Sequence, residues 1–128
     1  MSELGLSKSK RLKGETLVKE LFAKGCTFVC YPLRVTYMYC TDNENRVMFS
    51  VAKRLFKRAV WRNTLKRRMR EAYRLHQLQL NELPDDAKVR ICYSYIAREE
   101  LPYIVIEKAM VKSMQKLRKQ IMEGQEQV

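Results

Sequence analysis

Residues 53–74 read KRLFKRAVWRNTLKRRMREAYR. Ten of these residues are basic: Lys53, Arg54, Lys57, Arg58, Arg62, Lys66, Arg67, Arg68, Arg70 and Arg74. Glu71 is the single acid, so the stretch carries nine of the twelve net positive charges of the chain. Charge concentrated in one element is the footprint of a nucleic-acid binder rather than a solubilising coat. At a helical step of 100° per residue, Trp61, Leu65, Met69 and Ala72 fall on one apolar stripe. Arg62, Lys66 and Arg70 climb its flank in steps of four, and Asn63, Arg67 and Arg74 continue the basic arc. Like charges at that spacing repel by a few tenths of a kcal/mol per pair, and a sequence needing only a stable helix would interleave Glu. The stripe is therefore expected to bury Trp61, Leu65 and Met69 against a sheet, with Trp61 as a core anchor, and to offer the arc to a polyanion.

Outward from this helix, the bulk properties bound the rest. A chain of 128 residues, 46% apolar and 31% charged, suits one domain with a proper core. No apolar run reaches the ~20 residues that span a bilayer, and residues 1–14 lack the apolar stretch of a signal peptide. A cytoplasmic protein is expected, with no membrane partner. The cysteines are Cys26, Cys30, Cys40 and Cys92, and His76 is the one histidine. No second ligand pair has zinc-finger spacing, so no metal site is expected. Cys40 and Cys92 read as small buried hydrophobes.

Residues 1–13 are read as a mobile basic arm, 14–123 as the domain, and 124–128 as a frayed tail. Glu15 to Lys24 forms a short helix through the pairs Leu17/Leu21 and Val18/Phe22, stopped by Gly25. Phe28 to Thr41 alternates as one strand, with Leu33, Val35, Tyr37 and Tyr39 on one face and Arg34, Thr36, Met38 and Cys40 on the other. Tyr37 and Tyr39 read as core. A polar turn over 42–45 leads to a second strand, Arg46 to Ala52, and the two strands are expected to pair as an antiparallel hairpin. Residues 78–88 leave the basic helix. Val89 to Ala97 is a third strand, with Val89, Ile91, Tyr93 and Tyr95 inward. Pro102 opens a last helix with Tyr103, Ile106, Met110, Ser113, Leu117 and Ile121 on one face, ending at Gly124. This order gives an α/β (α+β) two-layer sandwich, a mixed sheet of three to four strands packed with helices.

No active site emerges. His76 lies near the apolar side of the basic helix and reads as a packed or surface residue. Glu99 and Glu100 are adjacent and solvated, no Gly-rich phosphate loop exists, and no acid cluster suits a two-metal nuclease. No catalytic residue is assigned; any part in catalysis goes through RNA binding.

At the basic helix the sequence resembles the protein component of bacterial ribonuclease P. The family signature joins a strand ending S-V-x-K-[KR] to A-V-x-R-N-x-x-K-R-x-x-R. Ser50-Val51-Ala52-Lys53-Arg54 is similar to the first part, and residues 59–70, AVWRNTLKRRMR, to the second. Arg11-Leu12 ahead of a helix ending in Phe22 and Gly25 also resembles the family's opening. The likeness spans roughly residues 11–120. There are departures: Thr64 stands where Arg is common, and Phe56, Lys57 and Arg58 replace a Gly-Asn entry, so the path of the loop Leu55–Arg58 is left open. An aromatic common on the first helix is Val18 here.

The resemblance implies a left-handed βαβ crossover where general topology rules favour the right-handed form. It implies a catalytic RNA and precursor tRNA as partners, with no DNA. The RNA would carry the active site, with Mg²⁺ held mainly by the RNA subunit and substrate. Lys53, Arg54, Arg58, Arg62, Asn63, Lys66, Arg67 and Arg70 would face the catalytic RNA. A cleft between the first helix and the sheet would hold the single-stranded 5′ leader, with Phe22, Val18, Arg34 and Thr36 as its candidate residues; Phe22 reads equally as core. Other readings are a different RNA-binding module using the same helix, a DNA-binding regulator, which would want a helix-turn-helix pair, and an independent nuclease, which would want the missing acids.

Overall fold

A computed structural model describes residue 12 and residues 14–40, 45–78 and 88–126. The elements in chain order are α1 (Glu15–Lys24), β1 (Cys26–Cys30), β2 (Leu33–Cys40), β3 (Arg46–Val51), α2 (Ala59–His76), β4 (Lys88–Tyr95) and α3 (Tyr103–Glu126). The four strands form one mixed sheet in the order β1-β2-β4-β3. β1 is antiparallel to β2, β2 to β4, and β3 runs parallel to β4 with α2 as the crossover between them.

Two strand expectations are corrected. The stretch read as one strand is two, broken at Tyr31–Pro32, whose peptide is cis. Pro32 has no N–H for a ladder, and the inward positions switch from even (Phe28, Cys30) to odd (Leu33, Val35) as the chain doubles back. The hairpin is thus β1–β2. β2 and β3 do not pair, because β4 lies between them and hydrogen-bonds to both. Alternation marks each strand; it does not name the neighbour. The turn read at 42–45 falls mostly outside the described residues. Asn45 itself is buried and accepts the Val89 N–H on Oδ1 at 2.9 Å.

One face of the sheet carries the main core. Leu33, Val35, Tyr37, Val47, Val51, Val89, Ile91, Tyr93 and Tyr95 meet Leu65, Met69, Ala72 and Tyr73 of α2 and Ile106, Met110, Met114, Leu117 and Ile121 of α3. Phe49, Tyr73 and Tyr93 form a ring cluster with centroids 5.9 Å apart, a packing that adds to plain area burial. This is the expected sandwich, and α1 adds partial cover to the other face, where Leu21 is buried with Leu12 and Cys92 among Leu17, Val18, Met38 and Met48.

The arm read over residues 1–13 lies outside the described residues except for Leu12, which is buried and donates its N–H to Val47 O at 2.8 Å. The last helix runs past Gly124 to Glu126. Trp61 is 41% exposed and is not a core anchor: α2 buries residues only from Leu65 onward, so its first turn overhangs the sheet. Tyr39 is 49% exposed where core was expected; it lies next to the end of β2, edge-on to Tyr37. Cys92 is buried and Cys40 half-buried.

Candidate nucleic-acid interface

The basic residues of α2 divide into two groups by what they touch. Arg62 donates from Nη1 to the Phe56 and Lys57 carbonyls, both at 2.8 Å. It therefore pins the connection between β3 and α2, the loop whose path the sequence left open. Arg68 donates to Leu101 O at 2.9 Å and pairs with Glu100 at 2.7 Å, tying α2 to the entry of α3. Arg74 is paired with Glu71, whose carboxylate is held below its usual range by that hydrogen bond. These three arginines work inside the protein.

The second group faces outward. Asn63, Lys66, Arg67 and Arg70 line a shallow depression of about 430 Å³ together with Val60 and Thr64. Thr64 donates its hydroxyl to Val60 O at 2.8 Å and so turns it back onto the helix. Lys53, Arg54 and Arg58 are exposed on the connection before α2. Nothing acidic stands in the first turn of α2, and its N-cap Arg58 makes no side-chain cap bond. Cations at the positive end of a helix dipole cost stability, and an approaching anion would relieve that cost.

A second basic surface lies on the other face of the sheet. The register aligns Val29 with Arg34, Arg34 with Ser94, and Ser94 with Ser50 across all four strands. α1 packs over the neighbouring rows, where Met38, Met48 and Cys92 sit. It leaves the row of Arg34, Ser94 and Ser50 open as the floor of a cleft of about 220 Å³. Ala52, Arg54, Leu55, Tyr95, Ile96 and Arg98 complete the lining. Three arginines and two serines line it, and no acid does. Phe56 packs on Tyr95 at 5.8 Å beside it. Tyr95 is itself held, its hydroxyl donating to Glu99 O and accepting from Leu101 N at 3.0 Å.

Of the four leader candidates, Arg34 lines this cleft. Phe22 stands 53% exposed on α1, which rules out plain core packing. Val18 is half-buried against the small cluster under α1. Thr36 is buried, 3.2 Å from the Thr27 hydroxyl. Sequence reading missed Ser50 and Ser94 as the floor and Arg98 as part of the lining. The signal was present in the alternation, since Ser50 and Ser94 each fall opposite their strand's apolar positions. Without the β3–β4 pairing nothing brought the two together.

His76 packs between helices, its Nε2 3.3 Å from Glu107 Oε2. Among the described residues no group of three or more His, Cys, Asp or Glu gathers to hold a metal, and no helix is long and apolar enough to cross a membrane.

The family model described as Ribonuclease P matches residues 6–119. The chain is 39% identical over 115 residues to the ribonuclease P protein component of Porphyromonas gingivalis, covering 86% of this chain and 84% of that protein. It is 32% identical to that of Chlorobaculum tepidum, covering 87% and 80%. The fold is similar to the RNase P protein of Staphylococcus aureus (TM-score 0.66, 21% identity, 86% of this chain and 95% of the other). It is also similar to that of Thermotoga maritima (TM-score 0.69, 17% identity, 83% and 96%).

Proposed function

The chain belongs to the ribonuclease P protein family, and from that premise we propose that it divides its RNA contacts between its two basic surfaces. Membership makes it the protein subunit of a ribonucleoprotein endoribonuclease acting in tRNA 5′ maturation. The chemistry of that enzyme belongs to its RNA. The outward arc of α2, with Asn63, Lys66, Arg67 and Arg70, docks on the catalytic RNA, and Lys53, Arg54 and Arg58 extend it. The cleft floored by Arg34, Ser50 and Ser94 holds the leader of precursor tRNA, and the exposed Phe22 on α1 offers a stacking platform for it. Arg62 supports the arc by fixing the connection beneath it.

The observation that carries this reading is the sorting of the α2 cations. Arg62, Arg68 and Arg74 have protein partners, whereas Lys66, Arg67 and Arg70 share a depression lined by no acid. The cleft suits a single strand because Arg34, Arg54 and Arg98 line a groove along which a phosphate backbone can run. Mg²⁺ is read as held by the RNA and substrate. A face of concentrated positive charge repels a divalent cation and attracts the phosphates that bind one. The place of action is read as the cytoplasm, where precursor tRNA is made.

The test is cleavage of a precursor tRNA by bacterial ribonuclease P RNA at limiting Mg²⁺. The protein should restore cleavage and alone cleave nothing. The pair Arg67→Glu and Arg70→Glu should abolish that help without lowering the unfolding midpoint. RNA binding that leaves cleavage unchanged would instead favour a generic RNA-binding module.

A further inference from the structure

Trp61 is the single tryptophan of the chain, and its place is at odds with its chemistry. Tryptophan buries more apolar area than any other side chain, yet Trp61 is 41% exposed and the neighbouring Val60 is 63% exposed. It belongs neither to the main core nor to the half-buried side chains packed against it. Among the described residues it stacks on no other ring. Helical spacing sets it in line with Leu65, Arg68 and Ala72. Leu65 and Ala72 reach the core and Arg68 is tied to Leu101. At the first turn that line overshoots the sheet, and the indole is left at the rim.

Its surroundings select an occupant. From Lys53 to Arg70 there is no acid, and Lys53, Arg54, Lys57 and Arg58 are exposed just before it. A second copy of this chain would bring the same positive charge against itself. The occupant must offer an apolar face within reach of negative charge. An unpaired nucleobase on its phosphate backbone does both, and aromatic side chains in basic surroundings are how single strands are gripped. We propose that Trp61, flanked by Val60, is a stacking platform for an unpaired base of the bound RNA. This inference rests on the reading of α2 as the RNA-facing helix, and it adds a contact that charge does not supply.

The single tryptophan is its own reporter. Titration of the full chain with ribonuclease P RNA should quench Trp61 emission at the concentration where filter binding saturates. A blunt-ended RNA duplex, which offers no unpaired base, should bind by charge and leave the emission unchanged. Trp61→Leu keeps an apolar side chain but removes the ring, and should weaken binding of ribonuclease P RNA by about 5- to 100-fold. Trp61→Phe should retain most of the affinity. The slope of log affinity against log salt should be the same in Trp61→Leu and the parent, because stacking releases no counterions. An unfolding midpoint unchanged in Trp61→Leu removes misfolding as the cause of any loss.

Saturated binding without quenching, equal quenching by the duplex, or Trp61→Leu binding as tightly as the parent would each overturn the proposal. Those results would leave the reading of α2 standing if Arg67→Glu and Arg70→Glu still weakened binding. Charge reversals at Arg67 and Arg70 without effect on binding would sink the α2 reading, and this inference with it.

Discussion

At Gly25 the chain passes from α1 into β1 with φ −75°, a conformation open to any residue. The glycine is there for space: a Cβ would lie 2.5 Å from Leu21 O and 2.8 Å from Tyr37 O, both backbone. Gly25→Ala should therefore cost about 1–3 kcal/mol, the scale of overpacking, read as a lower urea midpoint; an unchanged midpoint would show that α1 shifts freely. The sequence marked this glycine as a helix stop, but not that the sheet's close approach demands it. The tyrosines offer a second test. Burial pushes Tyr37 up to about 12 and also raises Tyr73 and Tyr93. Above pH ~10 an unfolded tyrosine releases its proton while the folded one keeps it. The folded state then binds more protons, and stability falls as pH rises. Urea midpoints at pH 9, 10 and 11 should decline, and Tyr93→Phe should flatten part of that decline. A midpoint flat to pH 11 would contradict it.

At the scale of the element, α2 shows where helical periodicity stops being informative. The angles of Leu65, Met69 and Ala72 were legible, and all three are buried. Trp61 shares their stripe but lies beyond the sheet, because periodicity gives direction and not the length of the support. Nor could charge alone tell Arg68 from Arg67; only the approach of Leu101 and Glu100 separates them. Two substitutions on one helix should therefore dissociate. Arg68→Ala should lower stability by about 1–2 kcal/mol, through loss of a charged hydrogen bond and a half-buried ion pair, with little change in the salt slope of RNA binding. Arg67→Ala should leave the urea midpoint in place and reduce that slope by about 0.7–0.9. If both residues behaved alike, the division of α2 into inward and outward cations would be wrong. The strands carry the same lesson: their inward residues were readable, while the order β1-β2-β4-β3 depends on pairings distant in sequence.

For the whole molecule, a net charge of +12 sets stability and function against each other. Concentrated like charge strains the folded state, and salt screens it over a Debye length of about 10 Å at 0.1 M. Between about 50 and 300 mM salt the urea midpoint should rise while RNA affinity falls. A midpoint independent of salt would mean that the arc of α2 does not strain the fold. The topology also has a consequence for synthesis. β4 completes the sheet between β2 and β3, so the pairing of Leu33 with Tyr95 waits until most of the chain has left the ribosome. Until then β2 has only β1 beside it, and β3 has no neighbouring strand. The middle of the sheet is thus the last part to close, and the nascent chain carries its most positive segment amid cellular RNA before it has a complete core to hold it.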